Sequence, residues 1–122
     1  MASYPSHARP GAYIGTTVGD VWWRRYRRDG FLARGNGRYW LDGDGFHFLR
    51  ALTKTPLLIP SGAVTRTSMS GWHAGRWAAG IPILRIHWTR DGAELLSGFA
   101  VSRDPHDIAS LCRDIEAFAT RS

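Results

Sequence analysis

The chain has 122 residues, 43% of them hydrophobic and 12% aromatic, which is enough apolar material for one domain with a single core. Cys112 is the only cysteine, so the sequence excludes an intrachain disulfide and a zinc site made of several thiolates. The formal charge is +6, with fifteen Arg and one Lys against ten acidic residues, and this excess favours anionic partners such as nucleic acid or acidic lipid.

The N-terminal residues 1–12 mix Pro, Gly, Ser, His and Arg without periodicity. This composition predicts a flexible tail, followed by one domain over residues 13–122. The sequence has neither the apolar core of a signal peptide nor an apolar run of transmembrane length. We therefore expect a cytoplasmic protein without a transmembrane segment, either free or peripheral to a membrane.

The segment after Thr16 has apolar residues at helical spacing, with arginines mostly on other faces: Val18, Val21, Trp22 and Tyr26. This pattern predicts a short N-terminal helix, capped by Thr16 or Thr17. A strand over residues 22–28 is the alternative.

Beyond Asp29-Gly30, short β-prone segments alternate with Gly-containing turns, which is typical of an antiparallel meander. Residues 38–41 and 46–50 predict a hairpin around the turn Asp42-Gly43-Asp44-Gly45. Further strands are predicted over residues 55–60, 64–69 and 72–79.

The C-terminal part carries the clearest patterns. Apolar and polar residues alternate over residues 83–90, and Asp91-Gly92 provides a tight turn to a partner strand over residues 94–102. Asp104 then predicts a helix N-cap, with Pro105 at the first helical position. The helix carries one apolar stripe, which we expect to pack on the sheet: Ile108, Leu111, Cys112, Ile115 and Phe118.

These elements predict an α+β fold that is mostly β, with six or seven antiparallel strands, a short N-terminal helix and a C-terminal α-helix. Their order resembles the pleckstrin-homology (PH) superfold, especially its bacterial and GRAM-like branches, over residues 31–120. Short patterns and the helix from Asp104 carry the resemblance: Gly37 to Leu41, Gly45 to Phe48, Leu57 to Pro60 and Ile83 to Trp88. It implies a partly open barrel capped by the helix, with a binding or scaffolding role and no enzymatic activity.

The same resemblance bears on the ligand. In PH domains that bind phosphoinositides, Lys and Arg on the first two strands and their connecting loop hold the head group. Matching those strands to the 38–50 hairpin places Asp42 and Asp44 in this loop, where they would repel phosphate. The resemblance thus argues against specific phosphoinositide recognition and leaves weaker anionic binding or a protein partner.

Two clusters of aromatic and basic residues are candidate binding sites. In Trp22-Trp23-Arg24-Arg25-Tyr26-Arg27-Arg28, we expect electrostatic roles for the four arginines (Arg24, Arg25, Arg27 and Arg28) and an anchoring role for Trp23. The second cluster supplies Trp72 as an anchor and Arg76 as a further binding residue. The alternative is that the aromatic rings pack on the barrel and the arginines are merely solvated.

No pattern indicates catalysis, a cofactor or a metal. Asp42 and Asp44 resemble the opening of a calcium loop, but its twelfth position is Thr53 instead of Glu. Nucleophile elbows, phosphate-binding loops and paired histidines at metal-ligand spacing are missing from the sequence. We therefore expect a non-enzymatic module that binds a protein partner or an acidic lipid surface. Nucleic-acid binding by the basic face, or self-association through a strand edge, are the alternatives.

Overall fold

The computed structural model describes residues 4–19, 21, 23–77 and 79–121. Its strands are β1 (Arg9–Val18), β2 (Gly35–Asp42), β3 (Gly45–Arg50), β4 (Leu57–Pro60), β5 (Val64–Ser70), β6 (Trp72–His73), β7 (Arg76–Trp77), β8 (Ile83–Arg90) and β9 (Ala93–Ala100). One helix, α1 (Pro105–Arg121), follows the strands, and 3-10 turns occur at Arg28–Gly30 and Ser61–Ala63.

Seven strands form one antiparallel sheet in the order β4-β3-β2-β1-β9-β8-β5. Strand β1 joins the two halves of the sheet, because it pairs with β2 near its start and with β9 from Ala12 to Val18. The sheet is a partly open barrel with β4 and β5 at its two edges. The mostly antiparallel fold with a C-terminal helix, predicted from the sequence, is confirmed.

Both hairpins with strong turn patterns are present as predicted. Asp42 pairs with Gly45 across the β2–β3 turn, and the Asp42 carboxylate accepts a 2.9 Å hydrogen bond from the Asp44 amide. Asp91 and Gly92 have φ angles of 51° and 79°, as a two-residue hairpin turn requires. The resulting β8 strand buries Leu84, Ile86 and Trp88 in the barrel.

A chain of four buried polar side chains crosses the aromatic core. The indole of Trp88 donates to the Ser97 hydroxyl at 2.9 Å, and the Ser97 and Thr16 oxygens lie 2.6 Å apart. Thr16 bonds in turn to the Tyr13 hydroxyl, which donates to the carbonyl of Phe31. Each hydroxyl has one hydrogen, so the donations run from Trp88 to Phe31 in a single direction. Burial accordingly raises the pKa of Tyr13 above its ordinary value.

Helix α1 begins as predicted and packs against β5, β3 and the Ser61–Ala63 turn. The Asp104 carboxylate caps it by accepting a 2.9 Å hydrogen bond from the His106 amide. Ile108 and Ile115 are buried in the core. On the same helix, the Glu116 carboxylate accepts hydrogen bonds from the Thr67 amide (2.9 Å) and hydroxyl (2.8 Å), and so covers part of the edge of β5.

The predicted N-terminal helix is wrong. Thr16 and Val18 belong to β1, and the following chain turns back beside that strand. The Val18 amide donates to the Arg24 carbonyl at 2.8 Å, and the Tyr26 amide donates to the Thr16 carbonyl at 2.9 Å. Extended pairing aims the Tyr26 ring at Trp88 inside the barrel, and this tertiary packing overrides the helical spacing. Trp22, which contributed to the predicted helical face, lies outside the described residues.

The predicted flexible tail over residues 1–12 is too long, because β1 already begins at Arg9. Ala8 is buried and forms a small cluster with Trp40 and Leu49. The guanidinium of Arg38 lies 5.2 Å from the ring centre of Tyr4, and its Nη1 reaches the Ala8 carbonyl at 3.5 Å. Ala8 thus packs with an indole of β2, a contact that local composition does not encode.

The predicted strand over residues 72–79 is instead a small hairpin of β6 and β7. Ala74 and Gly75 turn the chain with φ angles of 52° and 79°. Trp72 pairs with Trp77, and His73 pairs with Arg76. The hairpin forms a two-stranded unit of its own beside the main sheet.

Candidate binding surface

Three connections meet at one end of the barrel, and together we call them the loop end. They are the β1–β2 connection (residues 19–34), the β3–β4 connection (51–56) and the β8–β9 turn (91–92). Antiparallel pairing places them together, because β1, β3 and β8 all finish at this end. The turn of Asp42 and Gly45 lies at the opposite end.

Arginines tie the three connections to one another. Arg50, the last residue of β3, donates to the carbonyls of Gly30 and Ala33 in the β1–β2 connection, the latter at 2.9 Å. Arg90, at the end of β8, forms an ion pair with Asp29. These contacts hold the β1–β2 connection against its neighbours, so the loop end presents a defined surface.

Four of the predicted binding residues lie on the loop end with exposed side chains: Trp23, Arg24, Arg27 and Arg28. Trp23 is 66% exposed, which is unusual for so large an apolar side chain. Arg28 lies 3.7 Å from Asp91, but both side chains are more than 70% exposed, so water screens this pair strongly. The structure therefore brings an aromatic ring and three accessible guanidinium groups onto one connection.

Arg25 differs from its neighbours because it points to the outer face of the sheet. Its Nη2 donates to the Ala74 carbonyl at 2.6 Å, and Arg34 donates to the same oxygen at 3.1 Å. Both guanidinium groups pass over Gly15, where a Cβ would lie 3.2 Å from Arg25 Nη1. This contact links the β1–β2 connection to the β6–β7 hairpin. Arg25 therefore has a structural role.

The hairpin residues proposed from the sequence lie beside this contact. Trp72 is 51% exposed on β6. Arg76 lies on β7, but its side chain is outside the part of the chain that the structure describes.

His73 belongs to the second aromatic and basic cluster of the sequence, where it was given no binding role, and it fastens the hairpin to the sheet. Its Nε2 lies 2.9 Å from the Gly15 carbonyl, and its ring is buried against Gly98. A Cβ on Gly98 would lie 2.3 Å from His73 Cδ2, so only glycine permits this approach. The available signal was glycine inside two strands, which marks close contact with another group.

A cavity of about 630 Å³ opens at the loop end between β4 and the end of β8. Buried Phe31, Leu57 and Trp88 are among the residues that line it. Arg50 and the exposed Lys54 also line it. Its size lies within the range of small-molecule sites, and its chemistry combines an apolar wall with basic groups.

The β2–β3 turn, with Asp42 and Asp44, lies at the other end of the barrel, where Asp42 stabilises the local structure. Asp42 accepts a 2.9 Å hydrogen bond from His47 Nε2, and His47 stacks on Trp40 with the rings 4.9 Å apart. Burial alone would raise the pKa of Asp42, but hydrogen bonds from His47 and the Asp44 and Gly45 amides outweigh it and lower the pKa below its ordinary 3.8.

This placement corrects the predicted alignment of the first two strands. The first two strands of the fold are β1 and β2, whereas the predicted hairpin over residues 38–50 is formed by β2 and β3. The error arose because β1 was divided between a tail and a helix. The connection that corresponds to the PH head-group loop is residues 19–34, and the argument from Asp42 and Asp44 against phosphate binding does not apply to it.

Within the described residues, no three His, Cys, Asp or Glu side chains are grouped so that they could hold a metal ion. Cys112 is half-buried on α1, and burial raises the pKa of its thiol, which disfavours the reactive thiolate. None of the helices among the described residues is long and apolar enough to cross a bilayer.

The antiparallel, partly open barrel with one closing helix defines a PH-like domain. A family model described as bacterial PH domain-like matches residues 3–115, and the chain belongs to this family. No curated protein matches the chain significantly. PH-like domains are generally non-catalytic modules that bind proteins or lipids, so membership indicates a binding or scaffolding role.

Proposed function

We propose that this domain is a non-enzymatic module that attaches to acidic membrane surfaces through its loop end. The observation that carries the proposal is the exposure of Trp23 among Arg24, Arg27 and Arg28 on one connection of the barrel. The membrane surface is the partner that this combination fits best, for two chemical reasons.

The first reason concerns the arginines. A guanidinium group binds phosphate oxygens through paired hydrogen bonds, and each cation near an acidic bilayer contributes about 1 kcal/mol to binding. Arg24 and Arg27 are exposed on the same connection as Arg28, whose exposed ion pair with Asp91 is weak. Phosphate groups would therefore meet several cations without first breaking a buried ion pair.

The second reason concerns the tryptophan. An indole has an apolar body and a polar N–H, and it partitions favourably to the head-group region of a bilayer. Trp23 and Arg24 are both exposed on the same connection, so the ring and the charge are available at the same end of the barrel. The combination of basic and aromatic residues is typical of segments that lie in the membrane interface.

Co-sedimentation with vesicles tests the proposal. Vesicles of phosphatidylcholine alone are compared with vesicles that also contain phosphatidylserine, at low and moderate salt. The binding variant changes Arg24, Arg27 and Arg28 to Ala and leaves Arg25 in place, because Arg25 holds the hairpin. Loss of three cations at about 1 kcal/mol each predicts affinity for acidic vesicles about a hundredfold lower.

A matched control removes the same charge elsewhere. Arg9, Arg103 and Arg113 are exposed and lie at the start of β1 or beside and on α1, away from the loop end. Their replacement by Ala should lower affinity far less than the loop-end variant. Equal losses in the two variants would mean that net charge, rather than this surface, attracts the lipid. Failure of the unaltered protein to bind acidic vesicles at either salt would refute the proposal.

A further inference from the structure

A second feature of the loop end stands outside the arginine cluster, in the tight turn that follows β3. The Thr53 amide donates to the Arg50 carbonyl at 3.2 Å, so residues 50–53 form a four-residue turn. Leu52 occupies its third position with a φ of 66°. A positive φ at this position normally selects Gly or Asn, because a larger side chain is strained there.

Leu52 is also completely exposed, with a relative exposure of 106%. A leucine in this place is disfavoured twice, by the backbone conformation and by contact with water. A glycine would remove both penalties without loss of a contact within the domain. Leucine is thus an unfavourable residue at this position in the isolated domain. Contact with an apolar partner would remove the free-energy cost of exposing the side chain to water.

The turn holds Leu52 in a fixed position. The Ala51 amide donates to the Asn36 carbonyl at 2.9 Å, and the Thr53 hydroxyl donates to the Arg50 carbonyl at 2.7 Å. Arg50 itself reaches the carbonyls of Gly30 and Ala33 in the β1–β2 connection. The leucine therefore projects from a braced turn that is linked to the arginine-bearing connection.

Other exposed apolar and basic residues lie in or directly beside the connections of the loop end. Leu32, in the β1–β2 connection, is 46% exposed, and Leu58, at the start of β4, is 38% exposed. Lys54, the only lysine of the chain, is exposed two residues after Leu52. Exposed leucines and cations at one end of the barrel match the boundary of an acidic bilayer, where acyl chains lie just below phosphate groups.

We infer that Leu52 is a membrane anchor, which inserts between the head groups and the acyl chains of an acidic bilayer while Lys54 remains at the phosphates. This inference rests on the proposed function and adds an orientation to it. The barrel meets the membrane with the β3–β4 turn, so that both the turn and the β1–β2 connection contact lipid.

The substitution Leu52→Gly tests the anchor without damage to the fold. Glycine relieves the positive φ, so the thermal midpoint should stay the same or rise. Affinity for phosphatidylserine-containing vesicles should nevertheless fall about threefold to tenfold, because one partly inserted leucine is lost. Met69→Ser is the matched control, since Met69 is 48% exposed on β5 and lies away from the loop end. The affinity of the Met69→Ser variant for these vesicles should not change.

A fluorescent probe reports insertion directly. In a Cys112→Ser background, Leu52→Cys and Met69→Cys are each labelled with an environment-sensitive dye. The dye at position 52 should shift to shorter wavelength with acidic vesicles and be quenched by nitroxide-labelled acyl chains, whereas the dye at position 69 should do neither.

The outcomes separate the anchor from the proposed function. If the protein binds acidic vesicles through its arginines but the dye at position 52 stays in water and Leu52→Gly binds normally, the anchor is wrong and the function stands. If the unaltered protein does not bind acidic vesicles, both are wrong.

Discussion

The hydroxyl of Tyr13, in the middle of the first strand, donates its hydrogen bond to the carbonyl of Phe31, which lies in the Arg-rich connection between β1 and β2. Both residues are 1% exposed. The buried chain of hydroxyls from Trp88 through Ser97 and Thr16 therefore ends on the backbone of the candidate binding surface. The core of the barrel positions the connection that carries Arg24, Arg27 and Arg28.

Replacement of Tyr13 by Phe should destabilise the domain by about 1–3 kcal/mol, because the Phe31 carbonyl and the Thr16 hydroxyl lose a buried partner. Urea denaturation measures the effect, and Tyr4→Phe is the control because Tyr4 is 47% exposed. Amide exchange should also become faster near residue 31. Equal stability of the two variants would show that the hydrogen bond to Phe31 contributes nothing.

Arg24 and Arg25 are adjacent in the sequence, but their substitution should have different effects. Arg25→Ala removes a charged donor to the Ala74 carbonyl and should cost about 1–2 kcal/mol of stability. Arg24→Ala leaves stability within about 0.5 kcal/mol and weakens vesicle binding about fivefold. Thermal denaturation and co-sedimentation of both variants check this division. If Arg24→Ala unfolded as readily as Arg25→Ala, the division would be wrong.

Gly98→Ala should release the β6–β7 hairpin, because the added methyl group would overlap the ring of His73. We expect a loss of about 1–3 kcal/mol, typical of overpacking. Gly71→Ala is the control, since no atom lies within 4 Å of a Cβ there. Combining Gly98→Ala with His73→Ala should recover part of the loss relative to the sum of the single changes. Strict additivity would contradict a direct clash.

Asp42 should make the stability of the folded domain depend on pH. The pKa of Asp42 is lowered in the folded domain, so its contribution is present above the ordinary value of 3.8 and is lost as the pH falls through the folded pKa. Asp42→Asn cannot titrate and should be less stable than the unaltered protein at neutral pH. In denaturation curves the difference between the two should persist as the pH falls to about the ordinary value of 3.8 and should shrink below it. A constant difference would argue against this linkage.

Sequence patterns predicted correctly those elements that are formed by residues close together in the chain. The turn of Asp91 and Gly92, the alternation along β8 and the cap at Asp104 are formed by residues close in the sequence, and all three appear as predicted. Strand β1 was missed because its burial does not alternate. Tyr13, Thr16 and Thr17 are all buried, since chain elements cover both faces of this strand, and Gly15 lies at an irregularity in its pairing with β9.

The candidate site was predictable only in part, for the same reason. The composition of the segment from Trp23 to Arg28 indicated exposed charge, and Arg24, Arg27 and Arg28 are exposed. Arg25 instead donates a hydrogen bond to the carbonyl of Ala74, which lies 49 residues further along the chain. Leu52 has no distinctive sequence context, and its backbone conformation and exposure appear only in the folded turn.

The bonds between Glu116 and Thr67 have a consequence for the synthesis of the chain. Strand β5 is an edge of the sheet, and an uncovered edge pairs readily with strands of other molecules. Among the described residues, helix α1 follows the strands in the sequence, so the carboxylate that covers this edge is synthesised after the strand it covers. Until the helix docks, Glu116 does not cover β5, and this edge is open to pairing with neighbouring chains.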